Sequence, residues 1–253
     1  MIVLLDVGNS RVKLGWHHPT MGREPTVHAI ALSPLGQLPE LLQRWLAALP
    51  MQPTAACGVN VAGPVVAERL ETALRQAGCT IQWTLPADTL LGVRNAYDLP
   101  GQLGADRWAA LLGLAGHFTS AHPPLVLATF GTATTIDTLS QDNVFEGGLI
   151  LPGPALMRQS LAQGTANLPL ASGAENDFPK HTLQAISTGV IAAQMGAVWR
   201  QCTITEQRYG QAPVLCVSGG GWPEVEAEVR RMLNHLEIQF LANPVLDGLA
   251  RMG

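Results

Sequence analysis

A chain of 253 residues that is 47% hydrophobic and 13% charged has enough apolar material for one large domain or two ordinary ones, and too little charge for disorder. Fifteen Lys plus Arg against nineteen Asp plus Glu give a net charge of −4 with no basic block, which argues against nucleic acid as the main partner. No apolar run approaches the roughly 18–20 residues a membrane-spanning helix needs, and Met1–Leu5 lacks a basic flank and is broken by Asp6, so neither a span nor a signal peptide is expected.

Ile2–Leu5 reads as a buried strand, Gly8-Asn9-Ser10 as a turn and Val12–Trp16 as a second strand, with Thr26–Leu32 a third. Leu41, Leu42, Trp45, Leu46 and Leu49 follow Pro39 at helical spacing. Cys57–Val61 is a strand, Val66, Leu70, Leu74 and Ala77 mark a helix, and Ile81–Leu85 is a further strand. Gly104 opens a helix with Trp108, Leu111, Leu112 and Ala115 on its apolar face.

After Pro123-Pro124 the pattern restarts, with strands at Leu125–Ala128, Thr134–Leu139 and Val144–Leu151. Helices are expected at Ala155–Ala162 and Leu183–Trp199, then a strand at Val214–Val217, a helix at Glu224–Leu236 and a strand at Ile238–Leu241. Both halves open with a strand, a Gly turn and a strand, and a duplicated α/β architecture follows, with a ligand cleft expected between the halves.

The four cysteines are scattered with no C-x-x-C pair and read as reduced core thiols in a cytoplasmic protein. The seven histidines show no zinc spacing, and no G-x-x-x-x-G-K-[ST] sequence occurs.

Thirteen of the fifteen cations are Arg; one of the two lysines, Lys13, follows the first turn, Asp6-Val7-Gly8-Asn9-Ser10-Arg11-Val12. Gly8 lets backbone amides approach an anion, Asn9 and Ser10 add donors, Lys13 neutralises phosphate, and Asp6 suits Mg²⁺ held through water. The same residues also suit an ordinary hairpin. Thr129-Phe130-Gly131-Thr132-Ala133-Thr134-Thr135-Ile136-Asp137 repeats the design at the head of the second half, and Ser218-Gly219-Gly220-Gly221 follows a later strand. Asp106 falls in the first turn of the helix after Gly104, where the dipole favours its ionised form. It suits either a general base for a substrate hydroxyl or a helix cap.

Together these turns resemble the type III pantothenate kinase family, of the acetate and sugar kinase/Hsc70/actin superfamily, over essentially the whole chain. The resemblance rests on Asp6–Ser10, Gly104-Ala105-Asp106-Arg107, Phe130–Thr135, Gly147-Gly148 with Pro152-Gly153, His181-Thr182 ahead of Ser187-Thr188-Gly189, and Ser218-Gly219-Gly220. It implies an α/β fold of two ribonuclease-H-like, actin-like ATPase domains, 1–120 and 121–253.

The implied activity is ATP-dependent phosphorylation of pantothenate to 4′-phosphopantothenate, the first step of coenzyme A synthesis, in a cytoplasmic homodimer. The resemblance gives Asp6, Val7, Gly8, Asn9, Ser10, Arg11, Val12, Lys13 and Thr132 to ATP phosphates, with Gly219 and Gly220 near the adenosine. It makes Asp106 the general base and gives Tyr97, Gly104, Ala105, Asp106, Arg107 and Thr182 to pantothenate.

One position departs from the family pattern. Thr129 stands where the family carries an Asp linked to a monovalent cation, K⁺ or NH₄⁺, so the charge for that site is missing. This keeps two other readings in view: a kinase-like regulatory accessory protein of transcription with weak or no transfer, and a small actin-like ATPase switch.

Overall fold

The computed structural model describes residues 1–173 and 175–252. The chain divides into two units, Met1–Thr119 with Asn243–Gly253, and Ser120–Ala242.

In the first unit, β1 (Ile2–Val7) and β2 (Arg11–His18) form an antiparallel hairpin, and β3 (Gly22–Arg23) and β4 (His28–Ala31) pair with β2. After α1 (Leu38–Ala47), β5 (Ala55–Asn60) adds parallel to β1, and after α2 (Pro64–Gln76), β6 (Thr80–Trp83) adds parallel to β5. The order is β3-β2-β1-β5-β6, with β4 on β2. Leu38, Leu42 and Leu46 of α1 and Val66, Leu70 and Leu74 of α2 meet Val3, Leu5 and Val7 of β1 in one core. A short hairpin, β7 (Thr89–Leu90) and β8 (Val93–Asn95), precedes α3 (Ala105–His117).

The second unit repeats the plan. β9 (Leu125–Phe130), β10 (Ala133–Leu139) and β11 (Val144–Pro152) form an antiparallel meander. Then come α4 (Pro154–Gly164) and α5 (Thr182–Tyr209). β12 (Val214–Ser218) lies parallel to β9, and after α6 (Trp222–Met232), β13 (Ile238–Phe240) lies parallel to β12. Antiparallel hairpin first and parallel crossovers afterwards is thus the logic of both units.

Two expectations change. α5 runs ten residues past Trp199, because its first breaker is Gly210 in the left-handed region at φ 64°. The second domain does not extend to 253: α7 (Pro244–Ala250) packs back on the first unit. The reason is a close helix crossing that only glycines permit. A Cβ on Gly113 of α3 would run into Pro244 O and stand 2.9 Å from Gly248 N, and a Cβ on Gly248 would run into Ala109 O. Leu246 and Leu249 are fully buried, and Asp247 pairs with Arg23 and with His117 Nε2 at 3.1 Å.

Candidate active site

The first turn is built as a tight hairpin. Gly8 N donates to Arg11 O at 3.1 Å, and Asp6 and Lys13 face each other across β1 and β2. Asp6 is 6% exposed, and Lys13 Nζ lies 3.0 Å from its Oδ2. The two charges expected to serve a metal and a phosphate therefore also pair with each other. Asn9, Ser10 and Arg11 are exposed, while Val7 and Val12 are core residues.

At the start of α3, Gly104 is the N-cap residue and supplies no side chain, so Asp106 is not the cap. Its Oδ1 accepts from Arg107 N at 2.8 Å, and a Cβ on Gly104 would stand only 2.7 Å from that oxygen. Burial pushes the Asp106 carboxyl above its ordinary range; the Arg107 amide pulls it down in part, and the negative charge of Asp6 adds to the rise. This reverses the dipole-based expectation: loss of water outweighs the helix terminus.

Arg107 is 6% exposed, with Nη1 donating to Tyr97 OH at 3.0 Å and the guanidinium carbon 5.8 Å from the Tyr97 ring centre. Tyr97 is held in turn, its amide donating to Asn95 Oδ1 at 3.1 Å, while Asn95 Nδ2 donates to Pro100 O at 3.2 Å. Ala105 is buried as the first residue of the helix. The first unit thus gathers Asp6, Lys13, Gly104, Asp106, Arg107 and Tyr97 around the ends of β1 and α3.

In the second unit the turn between β9 and β10 leaves Gly131 and Thr132 exposed, with Gly131 N donating to Ala133 O at 3.0 Å. The glycines after β12 lie against it. Gly219 has φ 95°, and a Cβ there would collide with the Phe130 backbone; Gly221 N donates to Phe130 O at 3.0 Å. The Phe130 and Trp222 rings meet at 5.8 Å beneath. Gly220 has open space around it. Thr132, Gly219 and Gly220 are therefore brought to one end of the second sheet.

Thr182 lies elsewhere in that unit. It begins α5, behind the N-cap His181 whose Nδ1 accepts from Gln184 N at 3.4 Å, and lines a cavity of about 530 Å³ with Met157, Leu161 and Ile186. Thr129 pairs in register with Thr135 and Ser218. Among the described residues there is no group of three or more His, Cys, Asp or Glu able to hold a metal ion. No helix of the described residues is long and apolar enough to cross a membrane.

Sequence reasoning missed the Asp6–Lys13 and Tyr97–Arg107 pairings and the polar residues on the buried face of α5. Opposite charges at cross-strand neighbours signal the first. The others bring together residues whose contacts depend on tertiary structure.

The sequence model of the type III pantothenate kinase family matches residues 2–203. The chain is 51% identical to a type III pantothenate kinase of Bordetella pertussis, covering 100% of this chain and 97% of the relative. It is 41% identical to one from Azoarcus sp. strain BH72, covering 99% and 89%.

Among solved structures, a Campylobacter jejuni protein described as a Baf family transcriptional activator superposes with a TM-score of 0.59 at 20% identity, covering 99% of this chain and 96% of that one. Component A of (R)-2-hydroxyglutaryl-CoA dehydratase from Acidaminococcus fermentans superposes with a TM-score of 0.55 at 11% identity, covering 100% and 96%. These two likenesses concern the fold alone, that of actin-like ATPases and sugar kinases. By its sequence over most of its length, the chain belongs to the type III pantothenate kinase family.

Proposed function

We propose that this chain transfers the γ-phosphoryl group of ATP to the primary hydroxyl of pantothenate, giving 4′-phosphopantothenate and ADP at the first step of coenzyme A synthesis. The observation that carries the reading is Asp106, a mostly buried carboxylate in the first turn of α3 beside Arg107, in a chain of this family. As the hydroxyl oxygen attacks the γ-phosphorus, the bond from phosphorus to the ADP oxygen breaks and the hydroxyl proton passes to Asp106. Burial that raises its pKa makes this carboxylate a stronger base than one in water.

Arg107 suits the pantothenate carboxylate, which a guanidinium can grip through two parallel hydrogen bonds. Tyr97 holds that guanidinium in place, and Gly104 and Ala105 allow close backbone approach. Thr182 is a further hydroxyl for pantothenate. For ATP phosphates the first unit offers Asp6 to Lys13, and the second offers Thr132, with Gly219 and Gly220 for the adenosine.

Asp6 fits a hydrated Mg²⁺: it is a buried carboxylate with one oxygen held by Lys13, and among the described residues no group of three or more His, Cys, Asp or Glu forms an all-protein cage there. Bound there, Mg²⁺ would offset the charge of the phosphates. Thr129 brings a hydroxyl without charge and does not fit the charged K⁺ or NH₄⁺ ligand of the family. Homodimerisation and a cytoplasmic location belong to the same reading.

The test is formation of phosphopantothenate from pantothenate and ATP, followed by mass spectrometry with and without K⁺ or NH₄⁺. ATP-dependent product supports the kinase. Nucleotide binding without product would turn the reading towards a regulatory accessory protein.

A further inference from the structure

The buried face of α5 is mostly aliphatic, with Val190, Ile191, Val198 and Cys202, yet Ser187, Gln194, Gln201 and Thr205 interrupt it. Gln194 is fully buried and fixed by two neighbours. Its Nε2 lies 2.8 Å from Pro152 O and 3.0 Å from Met157 Sδ. Both partners only accept, so the amide must present its NH₂ group to them. The amide oxygen is left buried without a partner. An aliphatic residue would avoid that unmet carbonyl, so stability alone does not account for a glutamine here.

What Gln194 grips is the corner where β11 ends and α4 begins. Pro152 pairs in register with Ala133, and the next residue, Gly153, donates its amide to Thr132 O at 2.9 Å. Gly153 fits so closely that a Cβ there would collide with Gly131 O and stand 2.8 Å from Thr132 O. On the far side, Met157 N donates to Gly153 O at 2.9 Å. The amide of Gln194 therefore ties both flanks of Gly153, and Gly153 in turn underlies the Gly131–Thr132 turn.

We propose that Gln194 is a positioning residue for ATP, setting the Gly131–Ala133 turn through the Pro152–Gly153 corner; this rests on the reading that the turn contacts ATP phosphate. Gln194 touches no substrate. It holds the backbone whose amides and Thr132 hydroxyl would meet the phosphate.

The test is steady-state kinetics on the full-length chain. Gln194→Met keeps the volume and removes the donor. The Michaelis constant for ATP should rise about three- to tenfold, the worth of one neutral hydrogen bond, with that for pantothenate unchanged. Gln201→Met removes another buried bond of the same helix, from Gln201 Nε2 to Thr138 Oγ1 at 2.7 Å, and should leave ATP affinity alone. Thr132→Ala should weaken ATP, and Gln194→Met added to it should cost less than in the parent.

If Thr132→Ala leaves ATP affinity unchanged, the phosphate reading falls and the proposal with it. If Thr132→Ala weakens ATP while Gln194→Met is silent, is matched by Gln201→Met, or weakens both substrates equally, only the positioning role is overturned. Gln194→Glu gives a second readout: its ATP constant relative to the parent should climb with pH as the carboxyl loses the proton it donates to Pro152. A flat ratio would overturn the proposal.

Discussion

Lys13 reaches across the first hairpin to Asp6, its directly opposed partner, with Nζ 3.0 Å from Oδ2 and the Asp6 side chain only 8% exposed. The pair lies between two regimes, since Lys13 keeps 34% of its side-chain exposure. Exposed pairs contribute roughly 0–1 kcal/mol, whereas breaking a buried one costs about 3–5 kcal/mol.

Lys13→Met should accordingly lower stability by about 2 kcal/mol, because Asp6 is left with an uncompensated charge. Adding Asp6→Asn should recover most of that loss, read as urea midpoints of the single and double variants. If Lys13 also meets phosphate, the single variant raises the ATP requirement as well; unchanged ATP saturation would confine Lys13 to its partner.

Asp106→Asn should keep the fold and remove most turnover, by about 10²–10⁴-fold for a lost general base. The raised carboxyl pKa fixes the sign of a second effect. The folded state holds the proton more tightly than the unfolded state, so ionising Asp106 costs stability at neutral pH. That cost accumulates as pH rises from the ordinary carboxylate value through the raised one, and vanishes below both. The Asn variant should therefore melt higher than the parent at pH 7, with the gap closing on acidification. For the parent, the acid limb of the turnover profile should lie above that of an ordinary Asp.

Gly248→Ala should reverse the usual helix rule. Ala in place of Gly in a helix ordinarily gains about 0.5–1 kcal/mol. At Gly248 the new methyl meets the Ala109 backbone, which has no side-chain rotamer to change, so a loss of about 1–3 kcal/mol is expected. Gly196→Ala in α5, with nothing within 4 Å of the added carbon, should show the ordinary gain. Equal midpoint shifts for the two variants would mean that the α3–α7 crossing relaxes freely.

The thiols should be poor nucleophiles in the native state. Burial pushes both Cys202 and Cys216 up to about 12, and raises Cys57 and Cys79 as well. Alkylation at pH 7.5–8, an ordinary labelling range of about one unit below a free thiol, should reach Cys57 first, the single half-buried member of the four. Rapid native labelling of Cys216 would contradict the depth of β12.

Most of the fold was legible because hydrophobic period and punctuation agree in this chain. The apolar β1 run stops at Asp6 and Gly8, and α2 follows Gly63 and carries its leucines at helical spacing. Legibility failed where a residue obeys a distant neighbour. The end of α5 was hidden because Gln201 and Thr205 put polar groups on its buried face, bonded there to Thr138 and to the helix backbone. α7 was hidden because Gly248 weakens its helical pattern and is explained only by Gly113, far back in the chain. The site divides likewise. Residue types marked Asp6, Lys13 and Asp106 as chemically able, but the direction of the Asp106 shift depends on burial that a linear pattern does not record.

The return of α7 to the first unit also sets an order of events on the ribosome. Ser120–Ala242 is continuous in the chain and can close its sheet as soon as it emerges. The unit begun earlier must wait, because the surface of α3 around Ala109 and Gly113 stays uncovered until Pro244–Ala250 has been made. The half synthesised first is therefore the half completed last, and a nascent chain halted near residue 242 should display an open apolar seam for a chaperone to hold.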